Sequence, residues 1–165
     1  MTEDRITELA RTLGRGARRR GVDIVAAESC TGGGVAAAIT RVSGSAKWFD
    51  RGFVTYSNDA KRDMLGVKQR TLRNHGAVSE EVVREMAAGA LARSRCDVSV
   101  AITGIAGPTG GSRKKPVGLV WFGWGVRRGA VQARSYRFKG DRVAIRRQAV
   151  AVALQGLIDL LRKPR

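Results

Sequence analysis

Residues 22–34 read VDIVAAESCTGGG, an apolar run followed by a polar turn rich in glycine. The short apolar run over residues 22–27 predicts a buried strand. The polar part leads into a second helix that is predicted to end by Val42. Ligands of open α/β sheets collect at the carboxyl ends of strands, so the turn from Glu28 to Gly33 is the first candidate site.

The rest of the chain shows the same kinds of pattern. Helical spacing of apolar residues and short apolar runs predict further helices over 2–20, 58–65, 79–93 and 141–161, and further strands over 52–56, 97–102, 117–124 and 131–138. Asn58 is predicted as an N-cap. Helix and strand alternate before a late hairpin. The sequence therefore predicts a single domain over residues 1–165, a three-layer α/β/α fold with a mixed, mostly parallel sheet of about five strands.

Charge and cysteine content restrict the class of protein. The net charge is +17, from 31 Lys+Arg against 14 Asp+Glu. This excess indicates either attraction to an anion such as a phosphate ester or nucleic acid, or compositional bias, which the scatter of the charges favours. Two cysteines without a CxxC pair argue against structural zinc and for a reducing compartment. Without a signal peptide or a spanning apolar run, we expect a cytoplasmic protein with no membrane partner.

Ser29 lies in the first candidate turn, where a strand gives way to a helix. A serine there can be a nucleophile if a base accepts its proton, and free N–H groups at a helix start can hold an anion or an oxyanion. Ser29 or Thr31 could instead be a simple N-cap, and spacing alone favours this second interpretation.

Two residues could serve as the base. His75, the only histidine, lies in a predicted turn before a helix, where a structural role is favoured. Lys61 follows the second strand; if desolvated, its pKa would fall and it could accept a proton. An ordinary surface lysine is the alternative.

A second glycine-rich segment, TGIAGPTGG over residues 103–111, also follows a predicted strand. It has neither the spacing of a Rossmann fingerprint nor the Gly-Lys-Ser/Thr ending of a P-loop. It is either a long flexible loop or, with the lysines that follow, a wrap for a small phosphorylated ligand.

Taken together, these segments resemble the CinA C-terminal domain family. The resemblance is carried, in order along nearly the whole chain, by AESCTGG at 27–33, GFVTYSN at 52–58 with Lys61, HGAVS at 75–79, TGIAGP at 103–108 with KPVG at 115–118, and GDR at 140–142 with Arg146 and Arg147.

The resemblance implies an amidohydrolase that converts nicotinamide mononucleotide to nicotinic acid mononucleotide and ammonia, in pyridine-nucleotide salvage, without a metal or other cofactor. It implies Ser29 as nucleophile, Lys61 as general base and Thr103 as the third member of the site. The substrate-binding positions that it implies are Thr31, Gly32, Gly33, Ser45, Tyr56, Gly104, Gly107 and Arg142.

Two alternatives to the enzyme remain open. The charge alone supports non-specific binding of nucleic acid, although no aromatic-rich strand motif for single strands is present. The other alternative is a regulatory nucleotide-binding protein without turnover. A homodimer is also expected, because Trp48, Phe49, Trp121 and Trp124 could cover an interface; the same residues could instead be core residues.

Overall fold

The computed structural model describes residues 2–163. In chain order the elements are α1 (Glu3–Arg20), β1 (Ile24–Glu28), α2 (Gly34–Thr40), a 3-10 turn (Ser45–Lys47), β2 (Phe49–Val54), α3 (Asn58–Leu65), α4 (Gln69–His75), α5 (Glu80–Ala92), β3 (Val98–Gly104), β4 (Leu119–Val126), β5 (Val131–Arg137) and α6 (Arg142–Arg162). None of the helices within residues 2–163 has the length and apolar character that crossing a bilayer requires.

The strands form one mixed sheet in the order β2-β1-β3-β4-β5. β1 is parallel to both β2 and β3, whereas β4 is antiparallel to β3 and to β5. Four strands therefore share one direction and β4 alone runs against them. This arrangement confirms the predicted five-stranded, mostly parallel sheet and the late hairpin.

Helices cover both faces of the sheet, because the inner strands are apolar on both sides. Ile24 and Ala26 of β1 pack into one core cluster with α1, α2 and α6. Val25 and Ala27 of the same strand pack into a second cluster with residues of α3, α4 and α5. The helices that follow β1 and β2 thus lie on opposite faces of the sheet, which makes the carboxyl ends of these two neighbouring strands a topological switch point.

Three details of the sequence-based prediction were wrong or incomplete. α4 was not predicted, since its sequence QRTLRNH offers the core only Leu72. β2 begins at Phe49, three residues before the predicted start. The N-cap of α3 is Ser57 and not Asn58: Ser57 has an extended backbone and its hydroxyl accepts a hydrogen bond from the N–H of Ala60.

The large aromatic residues belong to the core. Trp48 is fully buried, and Trp124 is 8% exposed and donates its indole N–H to the carbonyl of Ala153 at 3.1 Å. The indole of Trp124 lies directly over Gly156, where an added Cβ would come within 2.1 Å of the ring. Phe49 and Trp121 pack against the two clusters as well. These side chains therefore give no support to a dimer interface.

The carboxylate of Glu28, the last residue of β1, fixes the start of α2. Glu28 is fully buried and accepts hydrogen bonds from the backbone N–H groups of Gly33 at 3.1 Å, Val35 at 3.0 Å and Ala36 at 2.9 Å. A buried charge is tolerated only when it is hydrogen-bonded, and the first N–H groups of a helix otherwise lack acceptors. Glu28 therefore serves as the cap of α2 from inside the fold.

We expect Glu28→Gln to lower the free energy of unfolding by about 2–3 kcal/mol, because an amide turns an N–H toward at least one backbone donor and loses the charge. Urea denaturation measures the change. Glu8→Gln is the matched control, since Glu8 is exposed and forms only surface ion pairs with Arg11 and Arg15. Equal stability of the two variants would contradict this role of Glu28.

Candidate active site

Three hydroxyl residues stand side by side where β2, β1 and β3 end. Glu28 pairs with Val54 on one side and with Ile102 on the other. The pairing continues for one residue, because the N–H of Thr55 bonds to Glu28 O at 2.8 Å and the N–H of Ser29 to Ile102 O at 2.9 Å. Thr55, Ser29 and Thr103 thus form a row, and each is buried.

The row faces the layer built by α3, α4 and α5. Side chains alternate along a strand, and the residues two positions earlier, Phe53, Ala27 and Ala101, all pack in the core cluster of that layer. The hydroxyl row therefore projects toward the helices that follow β2, on the sheet face opposite the carboxylate of Glu28.

Lys61 of α3 reaches into this row. Its Nζ lies 3.1 Å from Ser29 Oγ and 2.8 Å from the backbone carbonyl oxygen of Thr55, and the residue is only 1% exposed. Desolvation by burial lowers the pKa of Lys61 to about 8, because removing water disfavours the charged ammonium. An amine with this pKa is neutral in a useful fraction of molecules near neutral pH, and its lone pair can accept the hydroxyl proton of Ser29.

Thr103 lies beside Ser29 in the row, with its hydroxyl turned to the backbone. Its Oγ1 donates to the carbonyl of Ala77, between α4 and α5, at 2.8 Å. The hydrogen bonds among residues 2–163 do not join Thr103 to Ser29 or to Lys61. Its oxygen keeps lone pairs that can accept a further bond.

The sequence interpretation missed Thr55. Its carbonyl holds the amine of Lys61, and its own Oγ1 is buried with no hydrogen-bond partner within the described part of the chain. The signal was present, since Thr55 lies inside the segment GFVTYSN, but its importance depends on the register of β2 with β1.

Arg142, the first residue of α6, spans the edge of the sheet above the row. Its Nη2 donates to the phenolic oxygen of Tyr56 at 2.7 Å and its Nη1 to the carbonyl of Gly107 at 2.8 Å. Within residues 2–163 no carboxylate pairs with this guanidinium. Arg142 therefore joins the end of β2 to the glycine-rich loop through neutral acceptors.

The conformation of the turn after Ser29 depends on two glycines and on hydrogen bonds from Arg146 and to Glu28. Gly32 and Gly33 have φ values of 56° and 92°, a left-handed conformation that strongly favours glycine. Arg146 Nη2 donates to the carbonyl of Thr31 at 2.9 Å. The N–H groups of Gly33 and of the start of α2 were expected to be free for an anion, but those of Gly33, Val35 and Ala36 are occupied by Glu28.

Of the other predicted site residues, Ser45 lies away from the hydroxyl row, whereas Gly104 directly follows Thr103. Ser45 begins the 3-10 turn that precedes β2, near the paired residues Ile24 and Phe49. It is thus at the amino ends of β1 and β2, roughly 17 Å of strand from Ser29. Gly104 ends β3, and its close neighbours are Val120 and the carbonyl of Leu119, so this glycine permits the close packing of β3 on β4.

The remaining candidate groups are outside the hydroxyl row. His75 ends α4 with 43% of its side chain exposed, and its Nδ1 lies 3.3 Å from Glu81 Oε1. Cys30, next to Ser29, packs into the core cluster of α1, α2 and α6, and burial raises the pKa of its thiol to about 12. The amine beside Ser29 is therefore Lys61, and the neighbouring thiol is inert.

The burial of Lys61 makes stability depend on pH in a defined direction. Between pH 8 and 10.5 the unfolded chain keeps the proton on this lysine while the folded chain has lost it, so stability rises with pH. We expect the free energy of unfolding of wild type, minus that of Lys61→Met, to increase by about 2 kcal/mol from pH 7 to pH 10.

Denaturation in guanidinium at several pH values measures this difference. The control is Lys68→Met, because Lys68 is exposed and the corresponding difference should stay constant. A difference for Lys61→Met that does not change with pH would mean that the amine is not desolvated.

Known proteins of one family match this chain over most of its length. The profile of the CinA C-terminal domain family matches residues 6–161. Proteins named nicotinamide-nucleotide amidohydrolase PncC are 55% identical in Escherichia coli K12, with 95% of each chain covered, and 52% identical in Pseudomonas putida, with 95% of this chain and 98% of the relative covered. The crystal structure of the competence/damage inducible protein CihA from Agrobacterium tumefaciens matches with a TM-score of 0.92 at 50% identity, covering 94% of this chain and 95% of that one. These matches confirm the resemblance seen in the sequence, and the chain belongs to the CinA C-terminal domain family.

Proposed function

We propose that this protein is a nicotinamide-nucleotide amidohydrolase, which hydrolyses the carboxamide of nicotinamide mononucleotide to nicotinic acid mononucleotide and ammonia in pyridine-nucleotide salvage. The proposal is supported by relatives with this name at 52–55% identity over 95% of the chain. The observation that carries the chemistry is the 3.1 Å contact between a buried amine, Lys61 Nζ, and a buried hydroxyl, Ser29 Oγ.

In the first half of the reaction, the neutral amine of Lys61 accepts the hydroxyl proton of Ser29 as Oγ attacks the carboxamide carbon. The carbonyl oxygen becomes an oxyanion, which is stabilised by a backbone N–H near Gly104 or in the turn after Ser29. Within that turn the N–H groups of Gly32, Gly33 and Gly34 are excluded, because they are bonded to Ser29 O, Glu28 and Thr31 O. The ammonium form of Lys61 then returns the proton to the amide nitrogen. The carbon–nitrogen bond breaks, ammonia leaves and an ester with Ser29 remains.

In the second half, Lys61 accepts a proton from water while the water oxygen attacks the ester carbon. The ester bond breaks, and the proton returns from Lys61 to Ser29 Oγ as the carboxylic acid is released. The same amine thus acts as base and as acid in each half-reaction, as in other serine–lysine hydrolases.

The carbonyl of Thr55 and the hydroxyl of Thr103 have supporting roles in this proposal. Thr55 O accepts an N–H of Lys61 at 2.8 Å, which directs the lone pair of the neutral amine toward Ser29. Thr103, at the end of β3, has lone pairs with which we propose that it accepts a second N–H of the amine, while its own proton stays on the carbonyl of Ala77. Both contacts limit rotation of the amine, so that its lone pair stays directed toward Ser29 Oγ.

The phosphate of the substrate is assigned to the positive edge formed by Arg142 and the loop that contains Gly104 and Gly107. Arg142 is already held by Tyr56 and by Gly107 O, and a guanidinium placed in this way binds a phosphate without first being ordered. Gly32 and Gly33 shape the turn beside Ser29. Thr31 belongs to the same turn but lines a cavity between α1, α2 and α6. Ser45 lies at the other end of β1 and β2 in this chain, so its proposed role would need another copy of the protein.

A homodimer and non-specific binding of nucleic acid are two further proposals. The dimer was expected from aromatic residues that the fold buries. Nucleic-acid binding is supported by the net charge of +17, which favours polyanions through counterion release.

Ser29→Ala should lower the release of ammonia from nicotinamide mononucleotide by about 10³-fold or more, because no acyl-enzyme can form. The measurement is ammonia production by purified protein, with the thermal midpoint recorded to confirm folding. Cys30→Ala is the matched control and should retain activity, since its thiol is buried and protonated. Full activity of Ser29→Ala, or loss of activity only in Cys30→Ala, would disprove the serine mechanism.

The rate should depend on the pKa of Lys61, which is about 8. We expect kcat/KM to fall about tenfold per pH unit below that value, where the amine is protonated and cannot act as a base, and to level off above it. Measurements across pH 6–10 test this. Lys61→Arg, which keeps the positive charge but cannot lose it, should be about 10²–10⁴-fold slower than the wild-type plateau above pH 8 and should not show this rise with pH. A flat profile, or an active Lys61→Arg, would exclude Lys61 as the base.

A further inference from the structure

A second cavity lies on the other side of the sheet from Lys61, between α1, α2 and the first turns of α6. It has a volume of about 190 Å³, and its charged lining consists of Glu3, Arg41, Arg146 and Arg147. We propose that this cavity is a separate anion site that binds inorganic phosphate or a small phosphate monoester. The proposal does not depend on the proposed amidase activity.

The charges in the cavity do not balance. Three guanidinium groups line it with a single carboxylate, that of Glu3. Arg41 donates a hydrogen bond to Glu3, and the Nε of Arg147 lies 3.9 Å from Glu3 Oε1. Three arginines against one glutamate leave an excess of two positive charges, which favours a dianion such as phosphate.

Glu3 acts as a weakly held substitute for such an anion. The hydrogen bond from Arg41 lowers the pKa of Glu3, so its side chain is ionised at neutral pH. The side chain is nevertheless 54% exposed, at the first residue of α1. Exposed ion pairs contribute little to stability. A phosphate can therefore displace this carboxylate without unfolding the helix.

Arg146 and Thr31 have unused hydrogen-bonding groups beside the cavity. Arg146 gives one N–H to Thr31 O at 2.9 Å, while its Nε and the hydroxyl of Thr31 are buried without hydrogen-bond partners within residues 2–163. Thr31 itself is 1% exposed. Buried polar groups normally have partners, and the Nε–H together with an Nη–H is the edge with which arginine takes two phosphate oxygens.

The cavity is small, and its charged groups lie close together. A volume of about 190 Å³ lined by three guanidinium groups suits a compact anion, such as inorganic phosphate or a short phosphate monoester. The cavity lies on the face of the sheet opposite Lys61, so a ligand held there is distinct from the group that reacts at Ser29. Its site nevertheless reaches the catalytic turn, because Arg146 holds the carbonyl of Thr31, two residues after Ser29.

Titration of the ¹⁵N-labelled protein with inorganic phosphate, at constant ionic strength kept with sodium chloride, tests the proposal by NMR. We expect saturable shifts of the amide signals of Ala37, Arg41 and Arg147. The double variant Arg41→Gln/Arg147→Gln should lose them. Glu3→Gln should bind phosphate about fivefold more tightly, because a competing negative charge is gone. If Glu3 only tied the helices together, its loss would weaken binding or leave it unchanged.

Controls separate this site from the catalytic one and from general salt effects. Ser29→Ala should keep the phosphate shifts, and Arg41→Gln/Arg147→Gln should keep amidase activity within about twofold of wild type. Arg18→Gln/Arg19→Gln removes the same charge from the exposed end of α1 and should bind as wild type does. Equal, unsaturable shifts in all variants, or a KM for the mononucleotide raised more than about tenfold in Arg41→Gln/Arg147→Gln, would overturn a separate anion site.

Discussion

The proposed chemistry depends on one interaction: the buried amine of Lys61 is held between the hydroxyl of Ser29 and the carbonyl of Thr55. An amine in water keeps its proton near pH 7 and cannot serve as a base. The fold removes that water by covering the row of strand ends with α3, α4 and α5. The cost is the desolvation of one ionisable group, which the rest of the core must offset. Thr55 O repays part of it with a hydrogen bond.

Two successive residues at the end of β1, Glu28 and Ser29, contact the helical layers on opposite faces of the sheet. Because side chains alternate along a strand, Glu28 faces α2 while Ser29 faces Lys61. The carboxylate accepts hydrogen bonds from the backbone donors at the start of α2, and this fixes the turn that carries Ser29. A change in register by one residue would exchange the two side chains and destroy both the cap and the site. The position of Ser29 is thus a consequence of the pairing of β1 with its neighbours.

The features that could be predicted from sequence are those with strong local signals. The run VDIVAA, the turn after it and the long amphipathic α1 and α6 gave the strand–turn–helix unit and the outer layers, and the hairpin was visible from its turn at Gly129. α4 was missed because only Leu72 of its seven residues is buried, so no apolar face exists to detect. The cap of α3 was misplaced by one residue because Ser57 and Asn58 are both good caps, and only the backbone conformation distinguishes them.

The roles of the individual site residues were harder to predict from the sequence than the location of the site. Ser29 and Lys61 were identified from motifs, but spacing alone favoured a capping serine and a surface lysine. The burial of Lys61 and Ser29 favours the catalytic interpretation, and this burial depends on the contact of two segments 32 residues apart in the sequence. The role of Glu28 could not be foreseen, because a glutamate next to a glycine-rich turn looks like a solvated residue until the helix that it caps is placed above it.

Two arginines of α6 form hydrogen bonds to loops at the carboxyl edge of the sheet. Arg142 and Arg146 lie one turn apart, so they face the same side of the helix. Their hydrogen bonds go to neutral acceptors: Tyr56 and Gly107 for the first, and Thr31 for the second. Arginines that only supported surface solubility would be free or paired with carboxylates. These two instead hold backbone at the carboxyl edge of the sheet. Part of the net charge is therefore fixed beside the turn that follows Ser29, where its positive field attracts a phosphorylated ligand before any contact forms.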